Sequence, residues 1–188
     1  GFCLFSSAAI AARHAQQKWG LNRIAVVDFD VHHGNGTQAC FWNDGSLFYA
    51  SSHQMPLFPG TGAYDETGAY QNIFNLPLAY GTGGSTIRLG WRDDLLPSVV
   101  AAKPDLIIIS AGFDAHEADP LGGLQMTSDD FGILTNDIID NDDGLWKKDI
   151  GKLDKLKVRQ EVINKSNLAP IEKIYWLLED CKRYGTLP

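Results

Sequence analysis

The sequence predicts an α/β fold in which a parallel sheet is covered by helices on both faces. Three observations predict it. Short apolar runs such as Ile24-Ala25-Val26-Val27 and Leu106-Ile107-Ile108-Ile109 have strand length. Helix-compatible segments separate these runs, as crossover connections between parallel strands require. The polar clusters that stand out follow the runs directly, at the carboxyl ends of strands, where such sheets hold their ligands.

Taken in order, Ser6 or Ser7 is expected to cap a helix through about Trp19, favoured by Ala8, Ala9, Ile10, Ala11 and Ala12 and ended by Gly20. Arg23 to Phe29 reads as a strand. A turn at Gly34-Asn35-Gly36 and a short helical link near Gln38 to Trp42 lead to a second strand at Leu47 to Ser51. Pro56, Pro59, Gly60, Gly62 and Gly68 mark Gln54 to Gly68 as a long loop. Asn72 to Leu76 is a third strand, and Thr86 to Ala102 is a helix that Pro97 interrupts or kinks. Asp105 to Ser110 is the clearest buried strand.

The chain has 188 residues and 44% hydrophobic content, enough for one domain with a sizeable core and an appendage. Composition shifts near Thr135. All five histidines precede that point, with only two lysines, Lys18 and Lys103, whereas the remainder has eight lysines and no histidine. Residues 1 to 135 are therefore read as one unit and 136 to 188 as a mostly helical tail of unknown relationship. In the tail, Ile171, Ile174, Trp176, Leu177, Leu178 and Cys181 recur at helical spacing, which predicts a packed amphipathic helix over Ala169 to Tyr184.

A net charge of −7 and the lack of a Lys/Arg cluster in the motif-bearing part argue against direct nucleic-acid binding. No apolar stretch is long enough to span a bilayer, and the N-terminus lacks signal-peptide order. Cys3, Cys40 and Cys181 form no CxxC pair, which suits a reducing compartment. A cytoplasmic protein is expected.

The most informative segment is Asp28-Phe29-Asp30-Val31-His32-His33. If strand alternation continues past Val27, Asp28, Asp30 and His32 share one face. Two carboxylates and an imidazole so placed call for a neutralising cation, most simply a divalent metal. A second cluster, Ala111-Gly112-Phe113-Asp114-Ala115-His116, follows the Ile107-Ile108-Ile109-Ser110 run. If the two strands are neighbours, Asp30, His32 and Asp114 make an Asp-His-Asp set with an open position for water, as a catalytic zinc site requires. His14 reads as a surface or boundary residue. His116 is equally compatible with lining the pocket and capping its loop. Cys40 reads as a buried thiol, and the tryptophans as packing.

Together, Gly1-Phe2-Cys3-Leu4-Phe5, Asp28 to Gly36, Phe58-Pro59-Gly60-Thr61-Gly62 and Ser110 to Gly123 resemble the ordered motifs of the zinc-dependent histone deacetylase family, which includes acetylpolyamine amidohydrolases and acetoin-utilisation proteins. The resemblance implies an arginase-like α/β fold, incomplete in this chain, and hydrolysis of an N-acetyl amide on lysine or polyamine amines. It implies zinc held by Asp30, His32 and Asp114, and a structural monovalent cation such as K+ at Asp28, Asp30, His32, Ser51 and Ser52. Asp28 and Asn35 match the positions that orient a catalytic histidine pair, and Phe2 and Phe58 match the walls of the acyl-lysine tunnel. Ureohydrolases of related fold carry a further carboxylate where this chain has Gly34, so one metal is expected rather than two.

Amide hydrolysis at such a site also needs a histidine to move the water's proton and a donor for the oxyanion. The resemblance places the histidine pair before the Gly-Phe-Cys motif and the oxyanion tyrosine in a glycine-rich segment, which neither Tyr175 nor Tyr184 matches. Two function classes follow. One is a zinc-dependent deacetylase acting on acetylated lysine peptides or acetylpolyamines; the other is a truncated, non-catalytic remnant that still binds metal. Unpaired strand edges and self-association are expected of the isolated chain.

Overall fold

Ile24–Asp28 forms β1, buried at every position, because a strand covered on both faces must be apolar on both. The other strands are β2 (Leu47–Gln54), β3 (Ile73–Leu78) and β4 (Leu106–Ser110). They make one parallel four-stranded sheet in the order β3-β2-β1-β4. This is a computed structural model, and it describes residues 3–140. Phe2, Cys181, Trp146, Trp176, Tyr175, Tyr184 and the expected helix over 169–184 lie outside the described residues.

Each face of the sheet carries its own apolar layer. Ile24, Val26, Leu47, Tyr49 and Ile73 pack on one face against Ala9, Ala12 and Ala15 of α1 (Ser7–Trp19) and Phe41 of α2 (Asn35–Phe41). The three alanines repeat every third residue, so a smooth stripe of α1 lies close on the sheet. On the other face Ala25, Val27 and Phe48 meet Trp91, Leu95, Leu96, Val99 and Phe131. These come from α3 to α5: α3 (Gly84–Gly90), a π-helical turn (Trp91–Leu95), α4 (Leu96–Ala102) and α5 (Ser128–Asp140). No described helix is long and apolar enough to cross a membrane.

Several elements differ from expectation, each for a physical reason. Gly20 does end α1 in a left-handed conformation, but Ser6 is itself left-handed and makes no side-chain cap; its hydroxyl lies over Gly36 instead. Gly34 and Asn35 open α2 directly, since the Gly34 carbonyl accepts the Gln38 N–H at 3.1 Å. β2 runs to Gln54 because it stays paired with β3 as far as Gln54 opposite Leu78. Pro97 sits in the first turn of α4, where its missing N–H is tolerated, and the wide turn before it absorbs the interruption. β4 is half-buried throughout rather than deeply buried, being an edge of the sheet among the described residues. Cys40 is exposed, not buried. α5 runs across residue 135, the point at which composition shifts.

Candidate metal centre

β1 and β4 are in-register neighbours, with Asp28 opposite Ser110, so the loops that follow them leave the sheet side by side. Asp30, His32 and Asp114 meet there, each offering a ligand atom within 4.8 Å of the others. Strand alternation is not what aligns them, because β1 stops at Asp28. The chain turns by two successive side-chain steps. Asp28 Oδ1 accepts the Asp30 N–H at 3.1 Å, and Asp30 Oδ1 accepts the His32 N–H at 2.7 Å. Asp114 is tied in by the Val31 N–H, which donates to its Oδ1 at 2.8 Å.

The backbone approach needs glycine at one point. A Cβ at Gly112 would collide with the Asp30 carboxylate, so the loop after β4 can pass the loop after β1 only with a hydrogen there.

His32 turns Nδ1 to both carboxylates, 2.8 Å from Asp114 Oδ2 and 3.3 Å from Asp30 Oδ1. Hydrogen bonds to Asp114 and then Asp30 raise its pKa to about 9, against the smaller opposing effect of burial. Burial pushes the Asp114 carboxyl up, while its bond to His32 pulls the other way. Asp28 lies deeper. Burial, then repulsion from Asp30, raises it from the usual carboxylate range, and Tyr49 Oη donates to its Oδ2 at 3.1 Å. In the absence of a metal the proton on His32 is what offsets the two carboxylates.

The donor set fits a divalent ion. Ligand atoms of a tetrahedral zinc bonded at about 2.0–2.1 Å stand roughly 3.3 Å apart, and His32 Nδ1 stands 3.3 Å from the Asp30 carboxylate and 2.8 Å from that of Asp114. One nitrogen and two carboxylate oxygens leave a fourth position open, as in catalytic zinc sites. A second metal on the ureohydrolase pattern would need a carboxylate at residue 34. Any Cβ on Gly34 would strike the buried Tyr49 hydroxyl and lie 2.8 Å from Asp28 Oδ2.

The other expected residues are distributed around this centre. Ser51 is paired in register with Asp28. Its hydroxyl bonds His53 Nδ1 at 3.0 Å, and the Ser52 hydroxyl accepts the Trp91 indole N–H at 2.8 Å. Asn35 is exposed at the start of α2, and Phe58 is 55% exposed on the long loop. His14 is exposed against Trp19, and His116 stacks on Phe131 while its Nδ1 accepts the Ala118 N–H. Tyr49, Gln38 and Glu66 are assigned no role by the sequence. Tyr49 meets Gly34 15 residues away and Gln38 meets Glu66 28 residues away, so no local pattern signals these bonds.

Comparison with known proteins agrees with this geometry. Residues 1–149 match the family described as the histone deacetylase domain. The chain is 45% identical over 141 residues to histone deacetylase 14, chloroplastic, of Arabidopsis thaliana, covering 73% of this chain and 33% of that protein. It is 44% identical over 137 residues to histone deacetylase 10, chloroplastic, of Oryza sativa subsp. japonica, covering 71% and 31%. It is also 44% identical over 136 residues to a probable deacetylase of Methanothermobacter thermautotrophicus, covering 70% and 41%. Among solved structures, the HDA15 HD domain superposes with a TM-score of 0.69 at 40% identity, covering 72% of this chain and 41% of that one. The chain spans less than half the length of these relatives. It belongs to the histone deacetylase family.

Proposed function

We propose that this histone deacetylase-family chain carries the metal-holding part of a zinc-dependent amidohydrolase site that removes acetyl groups from lysine or polyamine amines. The observation that carries the reading is the convergence of Asp30, His32 and Asp114 donors within 4.8 Å of one another at the carboxyl ends of two adjacent strands. Zinc, when bound, supplies Lewis-acid activation of water and of the acyl carbonyl.

The chain's own residues do the rest of the holding. The Val31 N–H orients Asp114, and the His32 N–H orients Asp30, so both carboxylates present a fixed oxygen. His32 enters as a neutral ligand through Nδ1 after giving up its proton. Asp28, bonded by Tyr49 and the Asp30 N–H, anchors the turn that aims Asp30. His33 and His53 have both ring nitrogens hydrogen-bonded within the protein and are not assigned the proton-transfer role. Phe58, on the loop beside them, is the described candidate for a wall of the acyl channel. A structural monovalent cation is proposed at Asp28, Asp30, His32, Ser51 and Ser52, with oxygens drawn largely from the backbone. Free thiols at Cys3 and Cys40 support a reducing compartment such as the cytoplasm.

The test combines binding with turnover. Purified chain is loaded with zinc and incubated with a fluorogenic acetyl-lysine peptide, with and without chelator. One zinc per chain is expected, and a chain that binds no zinc contradicts the reading. Turnover that chelation abolishes would add the hydrolytic half to this chain itself, and turnover that survives chelation contradicts the metal dependence.

A further inference from the structure

Beside the metal centre lies a buried polar network that neither metal holding nor hydrolysis uses. It joins His33, the residue after the ligand His32, with Gln38 of α2, His53 of β2 and Asn75 of β3, and with Thr61, Gly62 and Glu66 of the long loop. The Glu66 carboxylate accepts the N–H groups of Gly62 at 3.1 Å and Ala63 at 3.2 Å, and the Gln38 side-chain amide at 2.5 Å. Burial pushes Glu66 up, but these three donors outweigh it and hold the carboxyl below its ordinary value.

An ionised carboxylate can only accept, so Gln38 must turn its NH2 toward Glu66 and its carbonyl the other way. That carbonyl accepts Asn75 Nδ2 at 2.8 Å and faces His33 Nε2 at 3.0 Å. The His33 proton is therefore on Nε2, which leaves Nδ1 to accept the Thr61 hydroxyl at 2.8 Å. His53 is fixed by the same logic. The Gly62 carbonyl only accepts, so Nε2 at 2.9 Å carries the proton and Nδ1 accepts the Ser51 hydroxyl.

The two rings sit 4.6 Å apart, a spacing that two charged imidazoles would resist. Gly62, at φ +89°, lets the loop backbone lie against both rings; a Cβ there would collide with each.

We infer that His33 and His53 are positioning residues: two imidazoles, each carrying a proton on Nε2, that latch residues 61–66 onto the segment carrying His32, with the polarity of the chain of bonds set by the Glu66 carboxylate and its backbone carbonyl. The loop that bears Phe58 is thereby held in register with the metal ligands. Only that consequence for substrate rests on the proposed function; the latch itself does not.

The full chain labelled with 15N tests this at neutral pH through long-range 1H–15N correlations of the imidazoles and through amide hydrogen exchange. Wild type should show His33 and His53 each carrying a proton on Nε2. In Glu66→Gln the charged acceptor of the Gly62 and Ala63 N–H groups is lost, so exchange at residues 62–66 should rise about tenfold, while the Glu66 backbone carbonyl still holds Asn75 Nδ2 at 3.2 Å and the His33 proton stays on Nε2. Thr61→Val should also keep the His33 proton on Nε2, while exchange at 61–63 rises. Should Glu66→Gln not fold, the wild-type Nε2–H signals and Thr61→Val decide alone. Either histidine without a proton on Nε2 in wild type, or unchanged exchange in both variants, overturns the latch. Zinc titration of the same samples separates the two ideas: a wild type that binds no zinc sinks the proposed function and leaves the tautomer result standing.

Discussion

His32 is the residue on which pH acts most directly. Its proton and a metal compete for the same Nδ1, and two carboxylates hold that proton up to a pKa of about 9. Below pH 9 each zinc that binds must therefore displace one proton, and affinity should rise by up to about tenfold per pH unit before levelling off. Calorimetry in buffers of different ionisation enthalpy reads the released proton directly. The stability of the metal-free chain moves in the opposite direction. A folded pKa raised above the unfolded value of about 6.5 gives stabilisation that is complete below that value and lost as pH climbs through about 9. Raised Asp28 adds to the same trend at lower pH, because the unfolded chain ionises first. Melting temperature of the metal-free chain should accordingly fall from pH 6 to pH 9, and added zinc should reverse the fall. At this scale the ligand set was legible, since Asp30 and His32 are two residues apart and Asp114 follows a matching apolar run. Their support was not: Tyr49 reaches Asp28 across 21 residues, and nothing near either position in the sequence announces the bond.

Among the elements, the turn from β1 into α2 leaves no room for a side chain at Gly34. Gly34 sits against the Tyr49 hydroxyl and Asp28, both buried and bonded to each other, so neither can swing aside. Gly34→Ala should destabilise the fold by about 1–3 kcal/mol through overpacking, measured by urea unfolding, and Gly34→Asp by more, because it adds a charge beside Asp28. Trp91 anchors the π-helical turn; it is fully buried and donates its indole N–H to Ser52. Trp91→Ala should cost about 3–5 kcal/mol, with Trp91→Phe milder. Apolar runs and Gly20 made β1 to β4 and α1 readable, because those signals are local. The end of β2 and the left-handed Ser6 were not readable, since pairing with β3 and packing on Gly36 decide them.

For the molecule as a whole, the sheet order places β1 between β2 and β4, so the loop carrying Asp30 and His32 leaves from an inner strand and the loop carrying Asp114 from the strand beside it, an edge among the described residues. Whereas the adjacency of β1 and β4 was only a condition, the gathering of ligands beyond the carboxyl ends of the strands follows from a parallel α/β pattern and was legible as soon as the apolar runs were seen to alternate with helices. The register that sets Asp28 opposite Ser110 was not, because β1 and β4 are separated by two other strands in the sequence. β4 presents an outer edge among the described residues, and Leu4, Phe5 and Ile10 are exposed near the start of the chain. We expect concentration-dependent self-association, visible in sedimentation velocity as a shift to larger species at micromolar concentrations. A single monomeric boundary across that range would count against it.

Equilibrium dialysis of the chain against zinc bears most directly on the metal centre. We predict one bound ion per chain at pH 8 and a loss of affinity beyond about a hundredfold in Asp114→Ala, since removing a ligand should exceed the 10–100-fold effect of disturbing a ligand's support. A chain that binds no zinc, or binds it equally well without the Asp114 carboxylate, would contradict the assignment of Asp30, His32 and Asp114 as its ligands.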